Sequence, residues 1–556
     1  MRRRARDDGG VSTTAPVPTL DALGAHPARA VAQAERPLTA GTDRYMKAAA
    51  HAVARAAVEE LRGRAPAVRR RGTRPAVAGS RVLVLAGGGH NGGDALLAGA
   101  LLARRGCHVS AALVTARAHP AAMAEALAAG VRVAPDPLAE AEAFAGAPGP
   151  AARAPALVID GLTGIGASGP LRPGARELVA ALLRAGGPGR RRFGVLAVDL
   201  PSGVGPDDGV LAGPVLPADR TVTFTCLKGA HLLGPAARVT GRVEVVDLGL
   251  PVPEGAPLAR RPLDGELGAL LRPPGSADHK YTRGVVGVRA GSVTYPGAAV
   301  LSCAAAVRTG AGMVRLDAPA RVVDLVLASR PEVVAAPGRC QARVLGPGVE
   351  GSEAGWDNQV AAVLEPRGPV LPTVLDAGAL APLARLVRAG GRCGDRHVLV
   401  PHAGEAAALL TGLDRPAGRE AVEADPAGAV RTLAALTGAT VVLKGSPTLV
   451  AAPGEPTLLS LDAGPPWLAT AGSGDVLAGV LGAVLASAEA RAEQGGQTLR
   501  PEACAALAVR LHALAGALAS GWAGPGTGHP VAAGDLLDHL PGAWEALRSE
   551  ADRASA

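Results

Sequence analysis

Short apolar runs that end in glycine or an acid alternate along this chain with longer Ala/Leu-rich stretches. The first clear run is RVLVLAGGG (81–89), followed by a helical stretch at 94–105. Strand, glycine turn and helix in that order open a parallel α/β unit. A helix is predicted over 45–62, ahead of this unit. Further strands are predicted at HVSAALV (108–114), ALVIDGL (156–162), GVLAVDL (194–200), RTVTFTC (220–226) and RVEVVDL (242–248), most of the earlier ones separated by helical segments. This pattern predicts a doubly wound sheet, with ligands at the C-terminal ends of its strands.

A Pro/Gly-rich stretch at 251–275 reads as a linker. A second α/β series follows, with strands predicted at GVVGVRAG (284–291), MVRLDAP (313–319), ARVLGPG (342–348), TVLDAG (373–378), HVLVPH (397–402) and TVVLKGS (440–446). Long Ala/Leu helices fill the gaps, notably 474–488 and 501–520. No fixed-period repeat links the halves. The domain reading is a loose, disordered extension over 1–40, a Rossmann-like domain over 41–255, a linker over 256–275 and a second α/β domain over 276–550.

Length and composition sharpen this picture. At 556 residues the chain exceeds one ordinary core. Aromatics are only 2%, so the interiors must be built from Ala, Val and Leu. The net charge of +8 is scattered, apart from short clusters at Arg2–Arg6, Arg69–Arg71 and Arg190–Arg192. Without a basic stripe or aromatic platforms, nucleic acid is not the expected partner; small anions are. None of the six cysteines forms a CxxC pair, and several sit in apolar runs, so buried free thiols in a reducing compartment are expected. No apolar run reaches the ~20 residues of a membrane span, and MRRRARDDGG lacks the apolar segment of a secretory signal. A cytoplasmic protein with no membrane partner is the expectation. Positive charge is almost all arginine: the only lysines are Lys47, Lys228, Lys280 and Lys444, and asparagine occurs only as Asn91 and Asn358. In a chain that uses Arg wherever a generic cation serves, these few residues are functional candidates.

The stretch LATAGSGDVLAG (468–479) carries the most chemistry. Its glycines let backbone amides face a ligand, and the apolar helix that follows adds the positive end of its dipole. Asp475 in that position is either a helix cap or a base that deprotonates a hydroxyl attacking phosphorus. GSGD resembles the GTGD motif of ribokinase-like enzymes. Together with HKYTRGVVGVRAGS (279–292), YPGAAVL (295–301), RTGAGMVR (308–315), LGPGV (345–349), VLDAGAL (374–380), PHAGEAAALL (401–410), LKGSPTLVA (443–451) and AVRLHALAGALA (508–519) it resembles, in order, the ADP-dependent NAD(P)H-hydrate dehydratases. The resemblance implies a ribokinase-like α/β/α sandwich. It further implies that ADP phosphorylates the C6 hydroxyl of hydrated NADH or NADPH (NADHX, NADPHX) and that phosphate then leaves. By this resemblance Asp475 is the general base, Gly474 contacts the nucleotide, and Lys444, Gly445, Ser446, Pro447 and Thr448 hold the AMP part. Ala298, Gly348 and His402 contact the hydrate, while Glu405 helps to organise Mg²⁺ and water. Gly378 departs from the family, which has a second Asp there.

In the first half, GGGHNGGDALLAGALLARRG (87–106), DGLTGIGASGP (160–170), VDLPSGV (198–204) and TFTCLKGAHLLGP (223–235) resemble the NAD(P)H-hydrate epimerases. That likeness places the dinucleotide against His90, Asn91, Gly92, Gly93 and Asp94 and against the loop Gly164, Ile165, Gly166, Ala167, Ser168, Gly169 and Pro170. It makes Asn91, Asp160 and Ser202 ligands of K⁺, and Asp199 the candidate for proton transfer at C6, with Lys228 adding charge. His90 stands where the family has Asn. A homo-oligomer is expected. The residues alone leave a second reading open, a small-molecule kinase with a non-catalytic N-terminal binding module.

Overall fold

A computed structural model describes residues 23–64, 77–115, 118–146, 156–186, 191–351, 355–365, 369–524 and 526–555. The basic clusters at Arg2–Arg6 and Arg69–Arg71 lie outside them. The chain forms two compact units. The first takes the residues up to Gly203 with Gly213–Lys228 and Thr240–Gly255; the second takes Val204–Ala212, Gly229–Val239 and everything from Ala256 onward.

The first unit contains β1 (Gly24–His26), β2 (Arg81–Ala86), β3 (His108–Leu113), β4 (Arg132–Val133), β5 (Ala156–Gly161), β6 (Gly194–Val198), β7 (Arg220–Phe224), β8 (Leu227–Lys228) and β9 (Arg242–Val246). Seven of these form a parallel sheet in the order β4-β3-β2-β5-β6-β7-β9. Strand order reverses at β2, so the loops after β2 and β5 open at the switch point where ligands bind in such sheets. Strands β2, β5 and β6 are buried on both faces, as expected of a parallel sheet covered by helices. The helix predicted over 45–62 spans Arg44–Gly63.

The extension expected to be loose carries structure from Gly24 on. Strand β1 pairs in parallel with β8, and a helix spans Ala28–Thr39 with Val31 packed against Cys226. Its apolar positions are mostly alanines, and Pro37 sits in its last turn, so its periodicity is faint in sequence.

The second unit contains β10 (Ala259–Arg260), β11 (Val285–Arg289), β12 (Met313–Asp317), β13 (Ala342–Leu345), β14 (Thr373–Leu375), β15 (His397–Leu399), β16 (Thr440–Leu443), β17 (Thr448–Ala451) and β18 (Leu458–Leu461). The order runs β12-β11-β13-β14-β15-β16-β17-β18-β10, parallel except where β17 pairs antiparallel with β16 and β18. The fold is therefore α/β in both units. The segment expected as a linker, 256–275, instead supplies β10 and the helix Asp264–Ala269. Leu267 and Leu271 enter the core, and Asp264 takes a two-pronged ion pair from Arg510 at 2.6 and 2.7 Å. Its prolines and glycines hide only a few apolar anchors, which suffice to fold it against helices that come much later in the chain.

The cores are Ala, Val and Leu, with Trp356 and Phe193 the rare large aromatics fully inside. All six cysteines are free, five of them buried and Cys340 half-buried. Contrary to the expectation from runs of apolar residues, Ser473–Glu493 and Pro501–Ser520 are long and apolar enough to cross a membrane by length and composition. In the fold 78% and 72% of those windows are buried inside the protein, so their apolar faces serve the core.

Candidate functional sites

In the second unit the chain leaves β16 at Leu443, and Lys444 N donates to Pro401 O at 2.8 Å. This bridge sets Lys444 beside His402, the residue that follows β15 and caps the helix Ala403–Gly412. The Lys444 ammonium donates to Asp376 Oδ1 at 3.0 Å and lies 3.5 Å from Glu405 Oε2. Burial alone would depress this lysine, but Asp376 and Glu405 outweigh it and hold its pKa above the ordinary lysine range. Burial raises Asp376, although Lys444 opposes the shift.

Asp475 completes this cluster from the first turn of the helix Ser473–Glu493. Its pKa is pushed up to about 6, first by burial, then by the neighbouring Asp376 carboxylate, with Lys444 opposing. A carboxyl titrating there is well matched to taking a proton near neutrality. The turn before it needs Gly472, at φ +88°, where an added Cβ would lie 2.5 Å from Leu301 Cδ1. A Cβ on Gly474 would sit 3.4 Å from Lys444 Nζ, so the glycine turn and the lysine face the same space. Gly445, Ser446 and Pro447 form the turn between β16 and β17, and Thr448 Oγ1 donates back to Gly445 O at 3.0 Å. Ala298 and Gly348 are neighbours: a Cβ on Gly348 would fall 2.5 Å from that of Ala298. His402 has a cap's duties, its Nδ1 accepting from Gly404 N and Glu405 N at 3.0 and 3.2 Å. The glycine at 378 also has a cause, since a Cβ there would lie 2.1 Å from Val349 O.

In the first unit, Asp160 at the end of β5 is fully buried. It accepts from Ser202 Oγ at 2.6 Å, Ser202 N at 2.8 Å and Leu162 N at 3.3 Å. Ser202 Oγ in turn accepts from Thr163 N at 3.0 Å, while Asn91 Nδ2 donates to Thr163 O and Val198 O at 2.7 Å each. Thr163 thus ties Asn91 to Ser202, and through Ser202 to Asp160, the three residues expected to hold a cation. With Nδ2 so engaged, Asn91 directs its carbonyl oxygen toward Gly164, the first residue of the expected phosphate loop. That loop, 164–170, leaves the end of β5, and Ile165 packs on the Val31–Cys226 cluster.

A second cluster adjoins it. Asp199, held at φ +65°, accepts from Lys228 Nζ at 2.7 Å and Thr223 Oγ1 at 2.8 Å. Lys228 is fully buried and also donates to Thr223 Oγ1 and Phe224 O, at 2.9 Å each. Asp94 is buried in the second turn of the helix His90–Ala103, and its Oδ1 has no hydrogen-bond partner among the described residues. Burial raises it well above the ordinary range, and Asp199 and Glu35 add to the shift. Among the described residues no group of three or more His, Cys, Asp or Glu side chains is arranged to hold a metal. The oxygen set of Asn91, Asp160 and Ser202 is of a different kind, amide, carboxylate and hydroxyl donors that suit a hard monovalent cation.

Comparison with known proteins decides between these readings. The family described as NAD(P)H-hydrate dehydratase matches residues 286–537, and the one described as YjeF-related protein N-terminus matches residues 42–230. The bifunctional NAD(P)H-hydrate repair enzyme Nnr of Mycobacterium leprae is 40% identical over 508 residues, covering 90% of this chain and 94% of that protein. This chain belongs to the bifunctional NAD(P)H-hydrate repair enzyme family. The Mycobacterium tuberculosis member is 43% identical over 417 residues, 74% of this chain and 80% of its own length. An NAD(P)H-hydrate epimerase of Clavibacter michiganensis is 44% identical over 235 residues, 41% of this chain and 91% of that protein. The crystal structure of the ADP/ATP-dependent NAD(P)H-hydrate dehydratase from Bacillus subtilis covers 51% of this chain at 25% identity and a TM-score of 0.42.

Within this repair-enzyme family member, two residues near the sites have no role assigned from the sequence. His512 is buried, with Nε2 3.1 Å from Ser473 Oγ and 3.0 Å from Ser473 O, and burial pushes its pKa down to about 4. A neutral ring therefore pins the GSGD turn from the helix behind it; in sequence it lies within AVRLHALAGALA (508–519), a lone His in an apolar helix with nothing to mark its role. Glu35 comes from the segment expected to be loose, and its carboxylate accepts from Thr225 Oγ1 at 2.6 Å.

His90 begins its helix exposed, its ring 6.2 Å from that of His119. It supports no core, so His90→Asn should change stability by no more than ~0.5 kcal/mol. Epimerisation measured on the same variant should equal or exceed that of the parent; a clear loss would show that the histidine has taken over a contact.

Proposed function

We propose that this protein repairs hydrated nicotinamide cofactors, interconverting R- and S-NAD(P)HX in its first unit and dehydrating S-NAD(P)HX to NAD(P)H in its second. The observation that carries the second activity is the raised Asp475 carboxyl at a glycine-lined helix N-terminus, facing Lys444. Asp475 takes the proton of the C6 hydroxyl, whose oxygen attacks the terminal phosphorus of ADP, and AMP leaves. Phosphate then departs from C6 as the neighbouring carbon loses a proton, which restores the dihydropyridine. The helix N-terminus and Lys444 face the charge that grows on the phosphoryl oxygens. Glu405, whose Oε2 accepts from His402 N at 2.8 Å and lies 3.5 Å from the Lys444 ammonium, presents carboxylate lone pairs to Mg²⁺ or its waters. Bound there, Mg²⁺ would neutralise the phosphates.

In the first unit, Asn91, Asp160 and Ser202 would hold K⁺, which when bound supplies positive charge beside the dinucleotide phosphates. Asp199, already hydrogen-bonded to Lys228, moves the proton at the C6 centre. A residue held at positive φ away from glycine is the kind of strain that functional sites retain.

The test is incubation of purified protein with each hydrate epimer, with and without ADP and Mg²⁺, followed at the NADH absorbance band. We expect S-NADHX to return NADH with ADP and much more slowly with ATP. The R epimer should follow through epimerisation, faster with K⁺ than without. Equal or better rates with ATP would overturn the donor. A stable phosphorylated product would favour a small-molecule kinase. An R epimer that converts only at its spontaneous rate would leave the first unit as a binding module. We further propose a cytoplasmic homo-oligomer, to be checked by light scattering and cell fractionation.

A further inference from the structure

We infer that the helix Ala28–Thr39 supplies a positioning residue to the epimerisation site: Glu35, acting through Thr225, holds Lys228 against Asp199. The inference rests on the epimerase reading above. Neither Glu35 nor its helix falls within the matched family region, which begins at residue 42.

The geometry starts with Lys228. Its ammonium is buried and donates to Asp199 Oδ1, Thr223 Oγ1 and Phe224 O. The last two acceptors sit in and next to the turn that carries the lysine, so the position of Nζ depends on how that turn is held. The turn is unusual: Thr225 adopts φ +66°, a left-handed conformation that a β-branched residue rarely takes. Such a conformation persists only where its surroundings over-determine it.

Those surroundings come largely from the N-terminal segment. Strand β1 fixes the main chain of the turn, pairing Ala25 with Leu227 and His26 with Lys228. Val31 packs on Cys226, and Ile165 of the phosphate loop packs on the same pair. Glu35 then takes the Thr225 hydroxyl at 2.6 Å. The charged groups that act on Glu35 are Lys228 and Asp199, and Glu35 acts in turn on Asp94. Lys228 thus meets Asp199 by direct contact and feels the charge of Glu35, which is anchored on Thr225. With Glu35 in place, the ammonium is fixed on the carboxylate assigned to proton transfer. Without it, the strained turn can relax and take the lysine with it.

The test uses full-length protein, R-NADHX with excess ADP and Mg²⁺, and S-NADHX as the internal control. Glu35→Ala should lower kcat for epimerisation at least tenfold while dehydration of S-NADHX stays at the parent rate. Glu35→Gln keeps an acceptor for Thr225 but removes the charge; it should retain more activity than Glu35→Ala, with a displaced pH profile of kcat. Thr225→Ser, which keeps the hydroxyl, should stay close to the parent, and Thr225→Val should resemble Glu35→Ala. Parent-like epimerisation in Glu35→Ala would overturn the inference. Should Glu35→Ala not fold, Glu35→Gln decides: a parent-like rate and pH profile reduces Glu35 to a structural pin. Failure of the unmodified protein to epimerise would instead count against the function itself.

Discussion

Asp475→Asn should slow dehydration of S-NADHX by ~10²–10⁴, the usual cost of losing one positioned general base, and should leave the protein at least as stable as the parent at neutral pH. Both halves follow from one fact. Burial and the Asp376 carboxylate lift the Asp475 pKa from 3.8 to about 6. In the unfolded chain the group ionises near 3.8, so the folded state carries the costlier carboxylate. Its contribution to stability is present below the unfolded pKa and is lost as pH rises through about 6. The asparagine has no charge to bury, and at neutral pH it recovers a cost of up to about 3 kcal/mol before solvent screening. The same pKa predicts that kcat/KM of the parent falls as pH drops below about 6, where the base is protonated. Thermal melting and a pH–rate profile check the two halves. A variant that dehydrates at the parent rate would leave Asp475 as no more than a residue of the helix's first turn.

The contrast between Asp475 and its neighbours shows what the sequence could and could not disclose. Glycine turns followed by apolar helices have a local signature, so the GSGD and GGGHNGGD segments were legible. Scarcity was informative too. Of four lysines, Lys228 and Lys444 are the two that pair with buried carboxylates at the sites, and Asn91 bonds Thr163 beside the oxygen cluster. Asp376 was within a quoted motif, but its partnership with Lys444 joins residues 68 apart and is settled only by the order of β14, β15 and β16. Glu35 was not legible at all: its helix is Ala-rich and it meets Thr225 across 190 residues. The hairpin strands β17 and β18 were likewise missed, because four-residue strands beside a functional loop carry too little period to register. The stretch 256–275 failed for a different reason. Proline and glycine mark turns, and a segment anchored by a few leucines between turns has the composition of a linker.

Asp160→Asn should strip epimerisation of its K⁺ dependence and lower its rate by at least ~10–100-fold, the scale on which metal-site partners act, with dehydration of S-NADHX unaffected. The substitution is chosen against alanine for a structural reason. Asp160 is fully buried and takes hydrogen bonds from Ser202 Oγ, Ser202 N and Leu162 N. Alanine would orphan all three donors, at ~1–3 kcal/mol for each unsatisfied group, and confound chemistry with unfolding. Asparagine keeps the shape: its Oδ1 can still accept from Ser202 N and its Nδ2 can donate to Ser202 Oγ, so only Leu162 N, the longest of the three bonds, loses its acceptor. What is lost is the negative charge, and neither the Asn91 carbonyl nor the Ser202 hydroxyl supplies another. A hard cation held by neutral oxygens alone should bind far more weakly. Titrating K⁺ into both proteins while following conversion of R-NADHX separates the outcomes. A saturable K⁺ response in the parent that disappears in Asp160→Asn fits a cation held by this carboxylate. An identical response in both proteins would place the cation elsewhere and leave Asp160 to its hydrogen bonds with Ser202.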